Sequence, residues 1–99
     1  MLTGYVSVWT SDVAGAVGPA VARGWHAAPA GSGRVELTHP ASPFPFLIVR
    51  GDGPAVATGL LDQGSGLARL EEIPGDEFAD DVTGEVPEAR ELLATLRTR

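Results

Sequence analysis

The stretch Phe44–Arg50 constrains the fold most strongly, because it is apolar on both faces of an extended strand. A strand with two apolar faces has to lie inside a sheet, covered on both sides, whereas a half-exposed strand alternates apolar and polar residues. Pro45 restricts regular pairing to the residues that follow it. The turn sequence Gly51-Asp52-Gly53-Pro54 ends this strand, and we expect Ala55–Leu61 to return beside it as its hairpin partner.

The N-terminal part of the chain predicts a second interior strand and a helix. Leu2–Thr10 is rich in β-forming residues and is apolar on both faces. Apolar residues then recur at helical spacing after Ser11-Asp12, whose side chains can cap a helix, and before Gly24, which can end one. Because Gly18-Pro19 interrupts this pattern, we expect either a kinked helix or two short helices.

Turn signals and alternation predict several further segments of the chain. Ala27–Gly33 contains small residues, glycine and proline and predicts a loop, whereas Arg34–His39 alternates and predicts a strand with one face in water. After a turn at Asp62–Gly66 we expect a short strand near Leu67–Ile73. In the polar connection that follows, the apolar residues Phe78 and Val82 are expected to anchor the chain to the core.

The C-terminal segment predicts a helix that begins at Pro87, a residue suited to the first helical position. Its apolar stripe consists of Ala89, Leu92, Leu93 and Leu96. The predicted order is therefore β-α-β-β-β-β-α over residues 1–99. We expect a single α+β domain with two layers: a mostly antiparallel sheet of four to five strands, with helices on one face.

The composition is consistent with one small hydrophobic core that is not stabilised by disulfides. The chain has 99 residues and no cysteine, so it has neither a disulfide framework nor a thiolate metal site. Lysine is absent too, which excludes a Walker-type phosphate loop. The first residues lack the features of a signal peptide and no apolar run is long enough to span a membrane, so we expect a cytoplasmic protein.

The charge of the chain is concentrated in one segment. Nine of its thirteen acidic residues lie between Glu71 and Glu91, where Arg90 is the only basic residue. Such a surface repels nucleic acid and anionic membranes and attracts basic proteins. We therefore expect a non-catalytic binding protein that docks a basic protein partner, for example as an inhibitor. The expected docking carboxylates are Glu71, Glu72, Asp76, Glu77, Asp80, Asp81 and Glu85.

Two aromatic residues of the first strand are also candidates for partner binding. If Val6 and Val8 face the helices, then Tyr5, Ser7 and Trp9 lie on the opposite face of the sheet. Exposed Tyr5 and Trp9 would mark a partner or ligand surface. The alternative is that loops or a homodimer interface cover this face.

No arrangement of residues predicts catalysis, a metal or a cofactor. His26 and His39 are the only histidines and have no clustered carboxylate or thiolate nearby in the sequence, so structural roles are favoured for both. Ser42 and Asp52 complete a serine–histidine–aspartate trio only in composition, because such a triad is defined by geometry. We expect a protein that is not an enzyme.

Two family resemblances bear on function. The stretch Pro45–Gly53, followed by Asp76–Leu93, resembles the later part of the Imm1 family of bacterial immunity proteins, although the closing strand of that family is missing. This resemblance implies inhibition of a partner by occlusion. Tyr5–Val13, a helix and Gly24-Trp25 resemble the opening of a βαβββ module of the vicinal-oxygen-chelate (glyoxalase-like) fold, without its metal ligands. The alternative function is thus a small-ligand-binding module that completes its pocket by dimerisation, and a domain without a ligand also remains open.

Overall fold

The computed structural model describes residues 2–53, 55–62 and 69–97, with side chains except at residues 2, 62 and 69–71. Within these ranges the chain forms six strands and three helices. In chain order they are β1 (Leu2–Thr10), α1 (Val13–Ala22), β2 (His26–Pro29), β3 (Arg34–Thr38), β4 (Phe46–Arg50), β5 (Val56–Asp62), β6 (Arg69–Pro74), α2 (Asp76–Thr83) and α3 (Pro87–Arg97). The predicted turn after Asp62 lies outside the described residues.

The described strands form one mixed sheet in the order β2-β3-β4-β1-β5-β6. β1 and β4 are parallel, with Val8 opposite Ile48, and the other neighbours pair antiparallel. This architecture confirms the predicted α+β fold and its mostly antiparallel sheet, with one strand more than expected. Both strands that are apolar on two faces, β1 and β4, occupy interior positions, as their sequences require.

The predicted hairpin between β4 and β5 is wrong. β5 passes to the far side of β1 and pairs with it antiparallel, so that Val6 lies opposite Thr58. The turn after Arg50 fits this crossing as well as a hairpin, and the apolar β1 gains a neighbour on each side. The predicted loop at Ala27–Gly33 is wrong in part, because β2 lies at the sheet edge and pairs Ala27 with Leu37.

The core lies between the sheet and the three helices. Val6, Phe46 and Ile48 are fully buried and belong to the same apolar cluster as the inward residues of α1, α2 and α3. Trp25 packs edge-on against Phe46, with ring centroids 5.4 Å apart. The four stripe residues of α3, Ala89, Leu92, Leu93 and Leu96, are at most 4% exposed, which confirms the predicted C-terminal helix.

Local signals explain how α1 begins and ends. Asp12 caps the helix, since its Oδ1 accepts a hydrogen bond from the backbone N–H of Gly15 at 2.9 Å. Gly24 follows the last turn with φ of +98°, a conformation that favours glycine. Pro19 lies inside α1, which continues as one helix and does not divide into two. Gly18, which has no Cβ, avoids part of the clash that a proline imposes on the residue before it.

Candidate functional site

The contacts of two arginines show the order of the helices on the sheet. Arg97 of α3 donates to Oδ1 of Asp80 at 2.6 Å and to the backbone carbonyl of Asp76 at 3.1 Å, both in α2. Arg23, just after α1, donates to Oγ1 of Thr95 in α3 at 2.7 Å and lies 3.5 Å from the Glu91 carboxylate. α1 packs over β3 and β4, and α2 packs over β5. α3 therefore lies between them, and α2 is the outermost helix on the β6 side.

The side of α2 that faces away from α3 carries an exposed aromatic residue. Ala79 and Thr83 are buried against the core, and Asp80 is directed towards Arg97. At about 100° per residue, Phe78 lies on the flank opposite Asp80, and 58% of its surface is exposed. Glu77 and Asp81 project outward between these two flanks and are exposed.

The neighbouring strands add two exposed apolar residues. Ile73 lies opposite Thr58, which in turn lies opposite Val6, so Ile73 is on the helix-covered face of the sheet. Leu60, two residues beyond Thr58, is on the same face and diagonal to Ile73. Ile73 is 59% exposed and Leu60 is 46% exposed. We call this surface the β6 flank: the apolar side chains of Leu60, Ile73 and Phe78 with the carboxylates of Glu77 and Asp81.

The predicted docking carboxylates do not form one surface. Asp76 and Asp80 face Arg97, with carboxylate–guanidinium distances of 3.9 and 2.6 Å, so both contribute to the contact between α2 and α3. Glu85 is exposed in the loop that joins these two helices. Glu72 is half-buried on the opposite face of the sheet, next to Gly59, and no described group donates to its buried Oε1. The side chain of Glu71 is not among those described.

Tyr5 and Trp9 do not form an exposed aromatic surface. Tyr5 is 1% exposed and packs with Leu47 and Leu61 on the sheet face opposite the helices. Trp9 is half-buried against the same cluster and is covered by the turn at Gly51 and Gly53. The expectation of an exposed Tyr5 is therefore not met, and neighbouring parts of the same chain cover it. Both side chains lie on the face of the sheet opposite the β6 flank.

Sequence reasoning missed the apolar part of the β6 flank. Phe78 was expected to anchor the chain to the core, but its surface is mostly exposed. A signal was present in the helical spacing. Of the positions three and four residues before and after Phe78, only Val82 is strongly apolar, so Phe78 does not belong to a full apolar stripe. Ile73 and Leu60 had no comparable signal, since their exposure depends on where α2 lies on the sheet.

The two histidines lie near each other but belong to no cluster of metal-ligating side chains in the described part of the chain. His26 and His39 line the same cleft of about 460 Å³, but no group of three or more metal-ligating side chains occurs among the described residues. His39 Nδ1 accepts a hydrogen bond from Ala41 N–H at 3.0 Å, so the neutral ring carries its hydrogen on Nε2. Asp52 follows the C-terminal end of β4, whereas His39 and Ser42 precede its N-terminal end, so these three residues are not brought together.

A second cleft lies where the parallel strands β1 and β4 end. It has a volume of about 590 Å³, and its lining includes Trp9, Ser11, Asp12 and Asp52. The carboxyl ends of neighbouring parallel strands are a common location for ligand sites in sheets with helices. The indole Nε1 of Trp9 is buried, and no described atom accepts its hydrogen.

No protein-family model, curated protein or solved structure matches this chain. Among the described helices, none combines the length and the apolar character needed to cross a membrane.

Proposed function

We propose that this protein docks a basic protein partner through the β6 flank and acts by covering a cationic surface of that partner, as an inhibitor or immunity protein does. One observation carries the proposal. The large apolar residues that are exposed among the described ones are Val21, Leu60, Ile73 and Phe78, and three of these four belong to the β6 flank. The carboxylates of Glu77 and Asp81 border the same surface.

The combination of apolar centre and acidic border suits protein recognition. Buried apolar and aromatic side chains provide most of the binding energy in interfaces, whereas charges at the rim guide association and select the partner. Glu77 and Asp81 make no ion pair with any described residue, in contrast to Asp76 and Asp80. They are therefore available to a cationic partner without loss of an ion pair to a described residue.

The first test compares two variants with the same net charge. In the variant Glu77→Gln/Asp81→Asn, association with the basic partner should be slower by about tenfold at low salt, because the steering charges are removed. The control Asp52→Asn/Glu88→Gln changes two exposed carboxylates outside the β6 flank and should associate like the parent. Immobilised protein would capture the partner from the native host, and surface plasmon resonance would then give the association rates.

Salt and the apolar centre provide two further controls. Raising the ionic strength from 0.1 to 1 M shortens the Debye length from about 10 Å to about 3 Å and should remove the difference between the two variants. Phe78→Ala should weaken the complex mainly by faster dissociation. Equal association rates for both charge variants at low salt would show that the carboxylates of the β6 flank are only solvated side chains.

The element order of residues 2–50 supports a second candidate function. This part of the chain forms a β-α-β-β-β unit, as the glyoxalase-like resemblance implies, and the 590 Å³ cleft lies at the ends of its parallel strands. A small polar ligand in this cleft would shift the amide resonances of Ser11, Asp12 and Asp52 in a fragment screen by NMR. A screen that shifts only residues of the β6 flank would count against this candidate.

A further inference from the structure

One edge of the sheet is long and has no partner among the described strands. β6 is the last strand on its side, and it has six residues. In an antiparallel edge strand, every second residue directs its N–H and C=O groups away from the sheet. Both edge strands end at a proline, which has no N–H group, but the opposite edge strand, β2, has only four residues. The β6 edge therefore offers the longer row of backbone groups to a partner.

The helix layer stops short of this edge. α2 packs over β5, so the helix-side face of β6 is left open beside it. This explains why Ile73 is 59% exposed although it lies on the face that is buried elsewhere in the sheet. Phe78 borders the same opening from the side of α2. A strand added outside β6 would cover Ile73 and place its own side chains next to Phe78.

The charge around the edge decides which strand can be added. Glu77 and Asp81 border the helix-side face, and Glu72 lies on the opposite face of β6. A second copy of this chain would bring the same carboxylates together, which opposes edge-to-edge pairing, as charged residues on sheet edges commonly do. A basic segment is attracted by the same carboxylates, and its cations can lie on the face of the sheet that carries Glu72.

We infer that the β6 edge accepts an extended basic segment of the protein partner as an additional strand of the sheet. This inference rests on the proposed docking function and specifies its geometry. Backbone hydrogen bonds to β6 provide affinity, as in other cases of strand addition. Apolar residues of the segment cover Ile73 and contact Phe78, and the arginine or lysine residues that alternate with them face Glu72.

The probe is a capped eight-residue peptide of alternating valine and arginine, tested on the intact protein by fluorescence anisotropy. Two further peptides carry N-methyl groups on all valines or on all arginines. An added strand turns only one of these two sets of N–H groups towards β6. We therefore expect one methylated peptide to bind like the parent and the other to bind about tenfold more weakly or worse. Amides of β6 should also exchange more slowly with the parent peptide bound.

A pair of protein variants locates the binding surface. Ile73→Thr keeps a β-branched residue in the strand and should weaken the binding of the parent peptide about fivefold. Val21→Thr changes another exposed apolar residue, on α1, and should have no effect on the peptide. Equal effects of both substitutions would place the peptide elsewhere and overturn the inference.

Other outcomes separate this inference from the proposed function. If both methylated peptides bind as tightly as the parent, and binding still falls with salt and with Glu77→Gln/Asp81→Asn, docking is retained but strand addition is overturned. A stapled helical peptide of the same composition that binds more tightly than the extended one would also overturn it. So would a homodimer in solution that Ile73→Thr dissociates, because the occupant would then be a second copy of the chain.

Discussion

Phe46→Ala is expected to lower the free energy of unfolding by about 3–5 kcal/mol, the usual cost of removing a buried phenylalanine. Phe46 is fully buried on β4, an interior strand of the sheet. Its ring lies 5.4 Å from Trp25 and 5.9 Å from Phe44, between centroids, so the substitution removes two aromatic contacts as well as apolar surface. The free energy of unfolding of a small domain is only about 5–15 kcal/mol in total, so this variant should be close to unfolding.

The chain contains its own control for this result. Phe78→Ala makes the same chemical change at a side chain that is 58% exposed, in a helix where alanine is favoured, and should cost less than about 1 kcal/mol. Urea titrations followed by circular dichroism would measure both variants, with equal m-values as the sign of a common two-state transition. Similar losses for the two variants would mean that β4 is not the centre of the core.

The parts of the fold that the sequence predicts correctly are those set by local patterns. The two faces of β1 and β4 and the stripe of α3 depend on spacing along a few residues. β3 forms a strand as predicted, but the expected face in water is wrong, because Arg34, Glu36 and Thr38 are half-buried. The N-cap at Asp12 and the helix end at Gly24 depend on single residues. In each case one segment contains all the information, because the periodicity of its apolar residues determines which face is buried.

The wrong predictions concern which segments pair or pack with one another. The turn after Arg50 is compatible with a hairpin or with a crossing, and only the competition of β4 and β5 for β1 decides between them. α2 was overlooked because it turns few residues inward: Ala79 and Thr83 are buried and Val82 is half-buried. The interpretation of Phe78 as a core residue followed from its hydrophobicity alone. Its position beyond the edge of the helix layer is a property of the whole fold.

The candidate site likewise has features that the sequence predicts and features that depend on tertiary packing. The acidic segment is visible in the sequence, but the separation of its members is not: Asp80 pairs with Arg97, and Glu72 lies on the other face of the sheet. Tyrosine is common in exposed binding surfaces, but Tyr5 is buried by residues distant in sequence, such as Leu47 and Leu61. Charge content is therefore predictable from the sequence, whereas the use of each charge depends on tertiary packing.

Gly53→Ala is expected to destabilise the protein by about 1–3 kcal/mol, in the range of overpacked sites. A Cβ at this position would overlap Cδ2 and Cε2 of Trp9 and would lie 2.6 Å from Cε3. The indole has little freedom to move away, because it packs against the buried cluster that includes Tyr5 and Val49. The φ angle of Gly53 is not in the left-handed region, so the cost is steric and does not come from the backbone.

A control and a double-mutant cycle make the assignment specific. Gly4→Ala adds the same methyl group to β1, the strand that carries Trp9, at a place where no atom lies within 4 Å, and should change the stability by less than about 0.5 kcal/mol. In a Trp9→Leu background the cost of Gly53→Ala should shrink, because the smaller side chain leaves room for the methyl group. An unchanged cost in that background would show that the turn does not rest on the indole. It would thereby remove the physical reason for glycine at position 53, because the described atoms nearest to the added methyl group, apart from the two neighbouring residues, all belong to Trp9.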